Sequence, residues 1–96
     1  SLDDYMHWQS TIIDALIDLL DDNGSICWQV GAYRDRNCYV PLDMKFHELF
    51  SRRQLILRNR IIWRFNFGFN AERRFSGRYE TLLWYTKSDD YAFNLD

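Results

Sequence analysis

The sequence predicts an α/β fold, and three of its features carry that prediction. A broad amphipathic helix opens the chain, and a short, almost wholly apolar strand follows within a few residues. The last two strand-like stretches are joined by a loop without helical periodicity, so no crossover helix separates them and they should pair antiparallel. The expected layout over residues 1–96 is helix, strand, helix, strand, strand, a single small domain.

The first helix starts at Ser1-Leu2-Asp3-Asp4, where acids in the first turn suit the helix dipole. Tyr5, Trp8, Ile12, Leu16 and Leu19, joined by Ile13, Ile17 and Leu20, form a wide apolar face, with Asp14, Asp18 and Asp21 opposite. Asp22-Asn23-Gly24 should end it, Gly24 in the left-handed cap. Ser25–Val30 is apolar enough for a strand covered on both faces, which makes Cys27 a buried thiol. Residues 32–40 read as a polar loop dotted with aromatics. Pro41 opens a second helix whose buried side is Met44, Phe46, His47, Leu49 and Phe50, running to about Arg53; His47 and Glu48 otherwise read as helix surface. Leu55–Phe67 alternates with period two and is a strand with one wetter face. Residues 68–77 are a loop, and Tyr79–Thr86 is the final strand before an extended tail. Trp63 and Trp84 fall on apolar strand faces and are expected in the core.

Apolar residues make up 47% and aromatics 18%, with only four Gly and one Pro, which excludes a disordered chain. No run approaches the length of a membrane span, and no secretory signal opens the sequence. Cys27 and Cys38 fit neither a disulfide scaffold nor a zinc pattern, so a reduced, cytoplasmic setting is expected. Charge is distributed unevenly. Residues 1–33 hold six acids and no Lys or Arg, whereas residues 51–78 hold eight Arg against the single acid Glu72, a net +7. Arg forks match phosphate oxygens and stack on bases, so this segment suggests a nucleic-acid partner. A solvated surface, or neutralisation of the acidic first third, would explain the same charges.

Several segments narrow the reading. Leu57-Arg58-Asn59-Arg60-Ile61-Ile62-Trp63, then Arg74-Phe75-Ser76-Gly77-Arg78-Tyr79-Glu80, then Leu83-Trp84-Tyr85-Thr86-Lys87 occur in this order. The opening Ser1-Leu2-Asp3-Asp4-Tyr5 helix and Gly24-Ser25 before a strand add to them. Together they resemble consecutive segments of the DNA amino-methyltransferases, the adenine-N6/cytosine-N4 type, over nearly the whole chain. The resemblance implies part of a class I methyltransferase (Rossmann-like) sheet, about three strands with two helices. The last strand would be antiparallel and inserted between the other two. It also implies methyl transfer from S-adenosylmethionine to an exocyclic amino group in DNA. There the amine takes the methyl directly and no protein nucleophile is needed.

Two departures accompany the match. The family's tetrapeptide, (Asp/Asn/Ser)-Pro-Pro-(Tyr/Phe), is absent, since Pro41 is the only proline. Its place in the family is just upstream of the first helix. The family's cofactor loop, Phe-x-Gly-x-Gly, is also absent, because Phe67-Gly68-Phe69-Asn70 lacks the second glycine. The chain therefore reads as the downstream half of a catalytic domain, without catalytic, cofactor-binding or metal-ligating residues of its own. By itself it is expected neither to bind the cofactor nor to methylate DNA. Arg64, Arg73, Arg74, Phe75, Ser76 and Arg78 are the expected DNA contacts, and Arg58 is expected to be structural. Arg74 or Arg78 could instead pin the hairpin through Glu80. The Ser25–Val30 edge, left open by the missing half, is expected to recruit a second copy or another chain. A non-catalytic DNA-binding module and a purely structural remnant are the competing readings.

Overall fold

The computed structural model describes residues 1–31, 33–35, 38–65 and 79–93. Helix α1 spans Leu2–Leu19, and its N-cap Ser1 accepts a hydrogen bond from the Asp4 amide at 3.3 Å through its hydroxyl. The buried stripe is Gln9 and Ile13, flanked by Met6 and Ile17. That is narrower than the apolar pattern suggests: Trp8 is 61% and Leu19 82% exposed, and Tyr5 and Leu16 are exposed too. Asp14 does not lie opposite the packed side; it meets α2 through Arg53. The helix stops at Leu19, with Leu20 already extended at φ −82°, ψ 130°. Gly24 is therefore not a left-handed cap. It sits in a tight place, since a Cβ there would fall 2.6 Å from Leu20 Cδ1 and 3.1 Å from the Asp21 carbonyl oxygen, so the Leu20 side chain would have to shift.

Strands β1 (Ser25–Val30), β4 (Ile56–Arg64) and β5 (Tyr79–Thr86) form one sheet in the order β1-β5-β4. As the family resemblance implies, β5 lies between the other two, and it runs antiparallel to both, so β1 and β4 point the same way. In this register Ile26, Trp28, Val30, Leu57, Thr81, Leu83 and Tyr85 share one face. Both helices pack on it, bringing Ile13, Phe46, Phe50 and Leu55 to Val30, Leu83 and Tyr85 as the core. Trp28 fills the gap above, its ring centroid 5.5 Å from Phe46 and 5.6 Å from Phe50.

The second face of the sheet has no helix among the described residues, and this corrects three expectations. Strand β1 is covered on one face only, Cys27 is exposed, and Trp63 is 64% exposed rather than core. Trp84 shares that face but is half covered, because the tail folds back with Phe93 stacked on it at 5.5 Å and Tyr91 edge-on at 5.7 Å.

The segment expected as a plain loop contains a small antiparallel hairpin, β2 (Tyr33–Asp35) and β3 (Cys38–Val40), in which Arg34 faces Tyr39 and Tyr33 faces Val40. Helix α2 (Leu42–Arg52) buries Phe46 and Phe50, while Met44, expected inside, is 62% exposed. His47 is not a surface residue: its Nδ1 lies 2.9 Å from the hydroxyl of the buried Tyr85. Burial, and then the negative charge of Asp43, push that phenol up to about 12.

Helix α2 ends in a Schellman turn. The Leu55 amide donates to the Phe50 carbonyl at 3.3 Å and the Gln54 amide to that of Ser51 at 3.0 Å, with Gln54 left-handed at φ 61°. A side chain is strained there and glycine is not, although glycine frees the unfolded chain. Gln54→Gly should therefore raise stability by about 0.5–1 kcal/mol, read as a higher urea midpoint with an unchanged slope.

Candidate nucleic-acid interface

Because β1 and β4 are parallel, their carboxyl ends lie at the same end of the sheet, where ligands of open α/β sheets are commonly held. Strand β1 delivers Val30 and Gly31 there, and β4 delivers Trp63 and Arg64, which stand opposite Glu80 and Tyr79 at the start of β5. Gln29 donates to the Glu80 carboxylate across the strands. That carboxylate lies close over Gly31, where a Cβ would fall 3.2 Å from its Oε1. A narrow cleft of about 20 Å³ opens between Gly31, Tyr39, Asp43 and Tyr79. Beside it, Leu2, Tyr5, Tyr33 and Leu42 line a larger recess of about 280 Å³.

The described arginines divide cleanly. Arg52 pairs with Glu48, Arg53 with Asp14, Arg58 with Asp89 and Arg60 with Asp43, the last two at 2.8 and 2.5 Å. These four neutralise acids of this chain. Arg53 joins the helices, since it also donates to the Leu49 carbonyl at 2.7 Å, and its guanidinium holds the Asp14 carboxyl below the usual carboxylate range. Arg34 and Arg64 are exposed and form no ion pair with a described residue. Both stand at the carboxyl end of the sheet.

Of the residues expected to touch DNA, Arg64 is thus placed at the carboxyl end of the sheet, without an ion-pair partner among the described residues. Arg73, Arg74, Phe75, Ser76 and Arg78 lie outside the described residues. Arg58 has the structural role expected of it, bonding the Thr86 hydroxyl, the Ser88 carbonyl and Asp89. Arg34 was not among the expected contacts. The outer edge of β1 has no strand beside it among the described residues. No group of three or more metal-ligating side chains occurs among them, and no described helix is long and apolar enough to cross a membrane.

A family model described as DNA methylase matches residues 1–96, the whole chain. The chain belongs to the DNA methylase family. Among curated relatives, the Type II methyltransferase M.BglII of Bacillus subtilis is 43% identical over 96 residues, covering 99% of this chain and 27% of that protein. This DNA methylase chain therefore spans about a quarter of the length of the curated relative it matches. The α/β architecture, with two helices against a small antiparallel sheet, is what a part of a methylase domain can supply. Neither a Phe-x-Gly-x-Gly loop nor a Pro-Pro tetrapeptide occurs in the sequence.

Proposed function

We propose that this chain is the downstream half of a Rossmann-like catalytic domain. The whole protein would transfer a methyl group from S-adenosylmethionine to the exocyclic amino group of adenine or cytosine in DNA, in the cytoplasm. The observation that carries the reading is the β1-β5-β4 order: an antiparallel strand inserted between two parallel ones, with an open edge on β1. That edge accepts the strand bearing the catalytic tetrapeptide or, in its absence, another copy of the chain. Arg64, and with it Arg73, Arg74, Phe75, Ser76 and Arg78, holds the DNA backbone beside the target base. The chain contributes scaffold and DNA contacts, and the cofactor is held by the rest of the protein.

The test compares the whole polypeptide with residues 1–96 alone, using labelled S-adenosylmethionine and genomic DNA of mixed sequence. The whole protein should label DNA. The chain alone should show neither labelling nor micromolar cofactor binding by calorimetry. Labelling by the chain alone, or a whole protein that labels no DNA, would sink the reading.

A further inference from the structure

We propose that the β2–β3 hairpin is a second DNA-contacting element, in which Arg34 binds a backbone phosphate on the same rim as Arg64. The inference rests on the reading of the protein as one that acts on DNA. It goes beyond that reading by adding a site in a segment the Arg-rich stretch does not include.

Three independent observations lead to it. First, among the six described arginines only Arg34 and Arg64 have no carboxylate partner among the described residues, so of the six these two accept an outside anion without breaking a described pair. Second, each lies directly across a ladder from a tyrosine, Arg34 from Tyr39 and Arg64 from Tyr79. Those two tyrosines line the same cleft beside Gly31, so the two Arg–Tyr pairs meet at the carboxyl end of the sheet. Third, the hairpin has a fixed orientation. On its inner face Val40 is buried and Tyr33 lines the recess with Tyr5 and Leu42, which leaves the Arg34–Tyr39 pair on the opposite face.

An alternation of fork-like cations and aromatic rings suits a strand of nucleic acid better than an isolated anion. The guanidinium takes the phosphodiester, and the Tyr79 ring takes the sugar or base beside it. A hairpin held on its inner face presents these groups with little loss of freedom on binding.

The experiment measures equilibrium DNA binding by the whole protein over a series of salt concentrations. Each phosphate contact contributes about 0.9 to the slope of log affinity against log salt. Arg34→Gln should weaken binding several-fold and flatten the slope by about that amount, and Arg34→Lys should restore the slope. Arg52→Gln, which removes an exposed and internally paired charge, should match the wild type. If the wild type binds and methylates DNA while Arg34→Gln keeps the full slope, the hairpin assignment fails and the methyltransferase reading stands. If the wild type neither binds nor methylates DNA, both fail.

Discussion

Truncating Phe50 to alanine should cost about 3–5 kcal/mol, a large part of the stability of a domain this size. Phe50 is 0% exposed and stands where every part of the core meets. Its ring stacks on Tyr85 of the central strand at 4.3 Å between centroids and meets Trp28 of β1 at a steep angle. Its carbonyl accepts the Schellman bond that turns the chain into Leu55, whose side chain belongs to the same cluster. Alanine would leave a cavity between two aromatic rings that cannot both move in, because Tyr85 is fixed by the sheet ladder and by His47. The expected result is a urea midpoint lowered by more than 1 M, at the slope typical of a small domain. A loss under 1 kcal/mol would show that the helix layer rests on the sheet through other residues. The effect should reach the carboxyl end of the sheet as well, since α2 begins at Leu42 and Asp43, directly beneath the hairpin.

The antiparallel pairing of the last two strands was legible because it depends on which residues are missing from a connection, whereas the place of β5 between β1 and β4 came from the family resemblance alone. Residues 66–78 carry no helical pattern, so β4 and β5 had to pair antiparallel, and they do. Burial was legible only by half. The apolar run in β1 and the tryptophan of β4 describe surfaces that want cover, but hydropathy does not say what supplies it. In this chain the helices take one face, and Cys27 and Trp63 remain exposed on the other. The same reasoning explains Trp8 and Leu19, apolar residues of α1 that no described element covers. Gln9, a polar residue in the middle of the buried stripe, masked the true packing side of that helix. The hairpin escaped notice because strands of three residues are too short to show a period, and with it went Arg34. Counting arginines located a basic segment. Separating free charges from those already paired required the partners, since Asp43 lies seventeen residues from Arg60 and Asp89 thirty-one from Arg58.

Removing Arg58 should release the tail after β5 while leaving the sheet assembled. Arg58 sits at the irregularity in β4, where the register slips between Leu57 and Asn59, and such a bulge re-aims a side chain. Here the guanidinium is turned toward the exit of β5. Its Nε donates to the hydroxyl of the fully buried Thr86 at 2.8 Å and its Nη2 to the Ser88 carbonyl at 3.1 Å. Its Cζ lies over the Tyr91 ring, 4.3 Å from the ring centroid. The bond to Asp89 adds little, because that carboxylate is almost entirely in water. Arg58→Ala leaves the Thr86 hydroxyl buried without this partner and removes the cation from the ring, a loss of about 2–3 kcal/mol. The tail is otherwise tied to the turn after α1: Lys87 donates to the Leu20 carbonyl, Ser88 to that of Asp22, and the Ala92 amide to that of Asn23. Those ties cross one short stretch of chain, so they should loosen together. The Ala92 amide should then exchange its hydrogen at least tenfold faster, while amides in the centre of β5 stay protected. Arg58→Lys keeps the charge but cannot reach the hydroxyl and the carbonyl with one planar group, so it should recover only a small part of the protection. Unchanged exchange at Ala92 in the alanine variant would mean that the aromatic stack of Phe93 on Trp84 holds the tail by itself.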